Sequence, residues 1–233
     1  MKKVFFILLI FLPALSFSQT LEGMDGLFFI PSAEIHQDAQ LSLGFNYLDK
    51  SLVSFGDYKY NAKNYFLTFH FLPFIEASLR ITRLKGLPPR NNEAIGDRTP
   101  SVKIRVFEES DILPAISIGV HDLMTVFGGQ AAVHNNACYL VATKNFNLDS
   151  FLSHIALTVG YGSDFMKAAN HNFVGLFGGL SIHLLNYFEL MTEYDGKRAN
   201  CGLRVKYFDH LSLLGGFIGY KHFSGGASFF FTI

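Results

Sequence analysis

Charged side chains at alternate positions of two neighbouring segments are the residues whose spacing points first to chemistry. Glu189 and Glu193 lie on one segment, and Arg204 and Lys206 lie on the next. Because alternate residues of a β-strand point to the same side, each pair shares one face. A tight connection at 196–199 predicts a register in which Glu189 faces Lys206.

A second charged group occurs earlier in the chain. A tight turn after the segment that ends at His70 predicts that His70 faces Glu76 and that Phe66 faces Arg80. The full set of charged residues that we expect to face a barrel lumen is Glu76, Arg80, Lys103, Arg105, Glu189, Glu193, Arg204 and Lys206. Buried charges are costly unless they are paired. The set therefore predicts either a mutually neutralising polar plug or a conduit or docking surface for an anionic polysaccharide.

Ser181 and His183 raise the question of nucleophilic catalysis, with Glu189 across a turn and His154 on a neighbouring segment. Residues two apart on a strand are about 6.6 Å apart along it, so we expect no nucleophile–base pair. His154 and His183 could form a metal pair, but no third ligand is evident. We therefore predict a protein that is not an enzyme and has no cofactor and no metal site.

The elements that would position these residues show period-two alternation along most of the chain. Bulky apolar residues at 102, 104 and 106, for example, alternate with Ser101, Lys103 and Arg105. A soluble barrel points its apolar face inward, whereas an outer-membrane barrel points it outward and keeps small or polar residues in the lumen. Alternation alone leaves both architectures open.

Connection lengths favour the membrane barrel. We count about twelve strands between residues 40 and 233, with short connections after every second strand. Longer connections, at 49–61, 85–98, 123–135 and 163–172, lie on the other side. The prediction is an all-β fold, a single antiparallel transmembrane β-barrel with short periplasmic turns and longer extracellular loops.

Composition and the first residues are consistent with export. The 233 residues include 19 Lys+Arg, 19 Asp+Glu and 26 Phe, a balance that argues against nucleic-acid binding and against disorder. Residues 1–18 predict a secretory signal peptide, 19–39 a periplasmic segment and 40–233 the barrel. The strand phases predict Cys138 inward and Cys201 outward, both unpaired.

Several segments, in order, resemble the YjbH-like family of Gram-negative envelope proteins. They are GLFFIPSAE at 26–34, DAQLSLG at 38–44, DRTPSVKIRVFEE at 97–109, PAISIGVHD at 114–122, YLVATKNF at 139–146, GLFGG at 175–179 and TEYDG at 192–196. Two features differ from better-known members, because the chain is much shorter and has no lipobox cysteine.

The resemblance implies a non-enzymatic outer-membrane component of exopolysaccharide or capsule production or export. It also implies contact with outer-membrane lipid, and with polysaccharide and periplasmic or lipoprotein export partners. A structural barrel that scaffolds a secretion or adhesion machine is the alternative function.

Overall fold

The residues described in this computed structural model are 19–36, 38–55, 58–87, 92–125, 136–148, 152–166, 168, 170–185, 187–207 and 210–233. The predicted signal peptide lies outside them. No helix within these ranges is long and apolar enough to cross a membrane. A short 3-10 turn occurs at Leu123–Thr125.

The strands that period-two alternation predicts form a closed antiparallel barrel. Its twelve strands are β1 Gln40–Leu48, β4 Ala62–His70, β5 Ile75–Leu87, β6 Asn92–Phe107, β7 Ala115–His121, β8 Ala137–Asn147, β9 Leu152–Ser163, β10 Gly175–Leu184, β11 Phe188–Tyr194, β12 Ala199–Tyr207, β13 Leu211–Ile218 and β14 His222–Thr232. The two-residue strands β2 (Ser54–Phe55) and β3 (Tyr58–Lys59) pair with each other. Closure comes from β1, which pairs with both β4 and β14. The predicted twelve-stranded antiparallel barrel is confirmed.

The barrel carries its bulky apolar side chains on the outside. Ile104 and Leu157 are 38% and 46% exposed, whereas Lys103 and Thr158 on the same strands are fully buried. The other barrel strands divide in the same sense, because pleated strands send successive side chains to opposite faces. The outer face of the wall is therefore mainly apolar, whereas its inner face carries charged and small polar residues together with some apolar ones, such as Leu214.

The two ends of the barrel differ. Connections of at most seven residues join β4–β5, β6–β7, β8–β9, β10–β11 and β12–β13 at one end, here called the turn end. The longest connections, β1–β4, β7–β8 and β9–β10, lie at the other, the loop end. One predicted loop was wrong, because much of 85–98 continues β5 and β6 as paired strand, with two register shifts.

The interior is filled by residues 19–36, here called the luminal segment. Leu21, Phe28, Phe29 and Ile30 are each at most 1% exposed and form the core together with side chains of the barrel wall. The sequence predicts a periplasmic segment at 19–39, separate from the barrel. The structure instead places the luminal segment within the barrel.

Glycines of the wall make room for the luminal segment. A Cβ atom at Gly202 would lie 2.8 Å from the ring of Phe28, and one at Gly179 would lie 2.6 Å from the side chain of Leu27. Real Cβ contacts are not this short, so larger residues at these positions would displace the segment. Small residues on the inner face thus match bulky residues of the segment.

The two cysteines are free, as expected. Cys138 was predicted to face inward, and this was wrong. Its neighbours Ala137 and Tyr139 are buried at 0% and 3% exposure, so they occupy the inner face of β8, and Cys138 takes the outer face between them.

Candidate functional site

The carboxylate of Glu193 binds the backbone of the luminal segment. It accepts hydrogen bonds from the N–H groups of Phe28 at 3.1 Å, Phe29 at 3.0 Å and Ile30 at 3.3 Å. Asn200 on β12 donates a further bond from its side chain at 3.0 Å. Consecutive N–H groups that converge on one anion form a nest, and here the anion belongs to the barrel wall. The luminal segment is therefore attached through its main chain.

Arg204 binds the same segment through carbonyl groups. Its Nη2 atom donates to the carbonyl oxygens of Gln19 at 3.1 Å, Gly26 at 3.0 Å and Leu27 at 2.8 Å, and its Nη1 atom pairs with Glu189. The guanidinium is fully buried. Its five donors suit this combination of a carboxylate and several carbonyls, which a lysine could not match.

Two further basic residues of the wall, Lys103 and Arg80, form ion pairs and bind the luminal segment. Lys103 binds Glu76 at 2.6 Å and donates to the carbonyl of Asp25 at 3.0 Å. Arg80 pairs with Glu22 of the luminal segment and donates to Thr99 at 3.0 Å. The predicted register is confirmed here, because His70 faces Glu76 and Phe66 faces Arg80.

The remaining two predicted lumen residues behave differently. Lys206 is buried in the lumen at 8% exposure but forms no ion pair with any residue that the structure describes. Arg105 lies at the turn end, where it donates to the carbonyl of Pro73 at 2.7 Å and approaches Glu108 at 3.5 Å. A register shift between Arg105 and Phe107 accompanies this rim position. Arg105 is therefore outside the network.

The predicted pairing of Glu189 with Lys206 was wrong. Glu189 faces Arg204 across β11 and β12, and Tyr194 faces Ala199. The carboxylate of Asp195 accepts hydrogen bonds from the backbone N–H groups of the residues at 197 and 198, at 2.9 and 2.7 Å. Asp195 is thus a turn residue, as short Asp side chains favour, and the connection begins one residue earlier than expected.

Ser181 and His183 form a hydrogen bond of 3.1 Å, contrary to the sequence expectation. Side chains lean along a strand, and the ring reaches back to the hydroxyl. Glu189 lies 3.5 Å from the same ring nitrogen, Nε2. A catalytic triad needs the acid on the other nitrogen, so this arrangement lacks the geometry of one. The adjoining cavity measures about 10 Å³, room for about one water molecule.

A cluster of one aspartate and two histidines lies near the turn end of the lumen. His36 Nδ1 contacts Asp25 Oδ2, and His70 Nε2 lies 2.9 Å from the same oxygen. One ligand atom of each residue lies within 4.8 Å of those of the other two. His154 and His183, the pair considered from the sequence, stack with ring centroids 3.8 Å apart.

A polar cavity of about 740 Å³ opens at the turn end. Glu34 of the luminal segment, Glu109, Lys144 and Asn145 contribute to its lining. Partial burial acts to raise the pKa of Glu109, but hydrogen bonds from Lys144 and Asn145 outweigh it and lower that pKa below its ordinary value of 4.5. The cavity thus places the ion pair of Glu109 and Lys144, 2.9 Å apart, beside the end of the luminal segment.

The contribution of the luminal segment was not predicted from the sequence. Leu27, Phe28, Phe29 and Ile30 form a continuous apolar run bounded by Gly26 and a proline. Such a run is unfavourable in a solvated segment and indicates burial. Asp25 and His36, which flank this run, acquire their partners only because the segment enters the barrel.

The model of a protein family described as "Exopolysaccharide biosynthesis protein YbjH" matches residues 18–173, more than half of the chain. The matched region includes the whole luminal segment and strands β1 to β9. No curated protein matches the chain.

Proposed function

Because the chain belongs to the exopolysaccharide biosynthesis protein YbjH family, we propose that it is a non-enzymatic outer-membrane component of exopolysaccharide or capsule production or export. The observation that carries the membrane assignment is the reversed distribution of side chains in a closed barrel. Charged residues such as Lys103 and Arg204 are buried, while the outer face is apolar. This distribution is typical of outer-membrane barrels.

The outer surface also has aromatic residues near both ends. At the turn end they are Phe71, Phe74, Phe107, Phe146, Tyr187, Phe188, Tyr207 and Phe231, and at the loop end Tyr161, Tyr194, Phe217, Tyr220 and Phe223. All are between 42% and 60% exposed. Aromatic girdles at the two membrane–water interfaces flank the apolar band of outer-membrane barrels. The turn end would then face the periplasm and the loop end the outside.

The filled lumen favours a closed barrel over a conduit. Arg80, Lys103 and Arg204, the basic residues that could attract an anionic polysaccharide, are at most 2% exposed and bind the luminal segment or wall residues. A passing glycan would have to displace the core residues. We infer that the protein acts as an anchored partner of the machinery. The same observation also favours the alternative function, a barrel that scaffolds a secretion or adhesion machine.

The turn-end cavity supports a role for periplasmic partners. Its acidic and basic groups, among them Glu109 and Lys144, lie where the luminal segment reaches the rim. Outer-membrane lipid is the partner of the apolar face, and periplasmic or lipoprotein export components are the partners proposed for the turn end. Polysaccharide would contact the protein outside the lumen.

Fractionation and a deletion strain test the proposal. The protein should partition with outer membranes and should migrate differently on a denaturing gel before and after boiling. Deletion should lower the amount of surface polysaccharide, and complementation should restore it. Complementation by Ser181→Ala should be complete if the role is non-enzymatic. A folded Ser181→Ala variant that fails to complement would contradict that part of the proposal.

Planar bilayers test the closed lumen separately. The purified full-length protein should give no steady conductance, since the luminal segment fills the interior. A stable open channel in the wild-type protein would instead support a conduit. Unchanged polysaccharide in the deletion strain, together with loss of a secreted protein or an adhesin, would favour the alternative scaffold function.

A further inference from the structure

We propose that Asp25, His36 and His70 bind a divalent transition-metal ion, with Zn²⁺ the ion that their chemistry favours. Asp25 and His36 belong to the luminal segment, and His70 ends strand β4 of the wall. The ion would therefore join the segment to the barrel. This site is independent of the proposed role in exopolysaccharide production.

Convergence of three ligand atoms is the first argument. Asp25 Oδ2 contacts His36 Nδ1 and lies 2.9 Å from His70 Nε2, and one ligand atom of each residue lies within 4.8 Å of those of the other two. Ligands of a tetrahedral zinc ion, each about 2.0–2.2 Å from the metal, lie about 3.3 Å from one another. The three atoms need to move by only a fraction of their present separations to reach that arrangement.

The donor set is the second argument. Two imidazole nitrogens and one carboxylate oxygen suit Zn²⁺ and related transition metals, whereas Ca²⁺ and Mg²⁺ prefer oxygen ligands throughout. Both histidine side chains and that of Asp25 are buried, at 4%, 0% and 0% exposure.

The surrounding charges are the third argument. Glu76 Oε1 lies 3.8 Å from His70 Nε2 and accepts a hydrogen bond from the backbone N–H of Asp25 at 2.7 Å. Lys103 pairs with Glu76 at 2.6 Å. The carboxylates of Asp25 and Glu76 thus share one lysine. The second carboxylate would favour a bound cation, and Glu76 would act from outside the coordination sphere.

The position of the cluster determines how the ion would enter. Because all three side chains are buried, we expect the ion to be incorporated as the luminal segment packs into the barrel. An ion bound in this way would leave slowly, and a chelator would remove it efficiently only from the unfolded chain. The test therefore compares refolding with and without the metal.

The full-length chain is refolded in detergent with Zn²⁺ or with a chelator, desalted, and analysed for metal by mass spectrometry. Wild-type protein refolded with Zn²⁺ should retain about one ion per chain. His36→Gln and His70→Gln should lose this ion. The control variants His154→Gln, in the lumen but outside the cluster, and His210→Gln, at an exposed position directly before β13, should keep it.

Three results would overturn the proposal. They are wild-type protein without stoichiometric zinc, zinc retained in both cluster variants, and zinc lost in His154→Gln alone. Should the cluster variants fail to fold, as judged by migration of unboiled samples, Co²⁺ bound to the wild type provides a second measurement. Intense visible absorption typical of a low-coordinate Co²⁺ site is expected, and its absence would also overturn the proposal.

Discussion

Glu189 and Arg204 face each other across β11 and β12 and form an ion pair inside the barrel, where their side chains are 3% and 0% exposed. The arginine continues from this pair to three carbonyls of the luminal segment. The charges of the wall thus do two things at once, because they neutralise one another and they hold the segment that fills the lumen.

The first prediction concerns this pair. Glu189→Gln and Arg204→Met should each lower the free energy of unfolding by about 3–5 kcal/mol, since each leaves the partner as an uncompensated buried charge. The double variant should cost less than the sum of the two. Urea unfolding of the barrel in detergent micelles measures all three values.

Two controls accompany this cycle. Lys63 and Glu93 form an exposed pair at 2.9 Å, with side chains 36% and 31% exposed, and removing either should leave the free energy of unfolding nearly unchanged. Lys206→Met should show weaker coupling to Glu189 than Arg204→Met does. Additive costs for the Glu189 and Arg204 variants would contradict the pairing seen in the structure.

Alternation predicted which side chains face inward, with Cys138 as an exception, but register depended on turn chemistry. His70 and Glu76 were placed correctly because the turn between β4 and β5 lies where it was expected, directly after His70. Glu189 was assigned the wrong partner because the side chain of Asp195 binds the turn backbone. The observed register differs from the predicted one by two residues, because Glu189 faces Arg204 instead of Lys206. A shift of two residues keeps every side chain on the same face, so the predicted faces were right although the predicted pairs were wrong.

The second prediction uses neighbouring glycines of β13. A Cβ atom at Gly216, on the inner face, would overlap the carbonyl oxygen of Cys201 and lie 2.9 Å from the ring of Phe28. Gly216→Ala should therefore lower the free energy of unfolding by about 1–3 kcal/mol. At Gly215, on the outer face, the new atom would lie 3.6 Å from Phe223. Gly215→Ala should change stability by less than about 1 kcal/mol, and equal effects of the two variants would contradict the packing.

The position of the luminal segment could not be predicted from alternation, because the segment has none. Its apolar run at Leu27–Ile30 indicates burial but does not specify where, since a partner protein or a soluble core could supply the same environment. The proposed metal site, which includes Asp25 and His36, depends on that location. Long-range packing of an irregular segment leaves little trace in local sequence.

The third prediction concerns the attachment by Glu193. Glu193→Ala removes the acceptor of three backbone N–H groups and should lower the local opening free energy by about 1–3 kcal/mol. Hydrogen exchange at Phe28 and Phe29 should then be about 10- to 100-fold faster. The amide of Ala33, which Thr143 binds at 2.9 Å, serves as the internal reference and should change little. Unchanged exchange at Phe28 and Phe29 would show that side-chain packing alone holds the segment.

The fourth prediction is a pH dependence at the turn end. Hydrogen bonds from Lys144 and Asn145 hold the pKa of Glu109 below 4.5 despite its partial burial. A carboxyl group whose pKa is lower in the folded state stabilises that state above the pKa of the unfolded chain. This contribution is lost as the pH falls from about 4.5 through the folded pKa. The thermal unfolding temperature should therefore decrease less between pH 7 and pH 3 for Glu109→Gln than for the wild type.

Glu108, whose side chain is 80% exposed, provides the matched control. Glu108→Gln should retain the wild-type acid profile, and an equal change in both variants would assign the effect to the net charge of the turn.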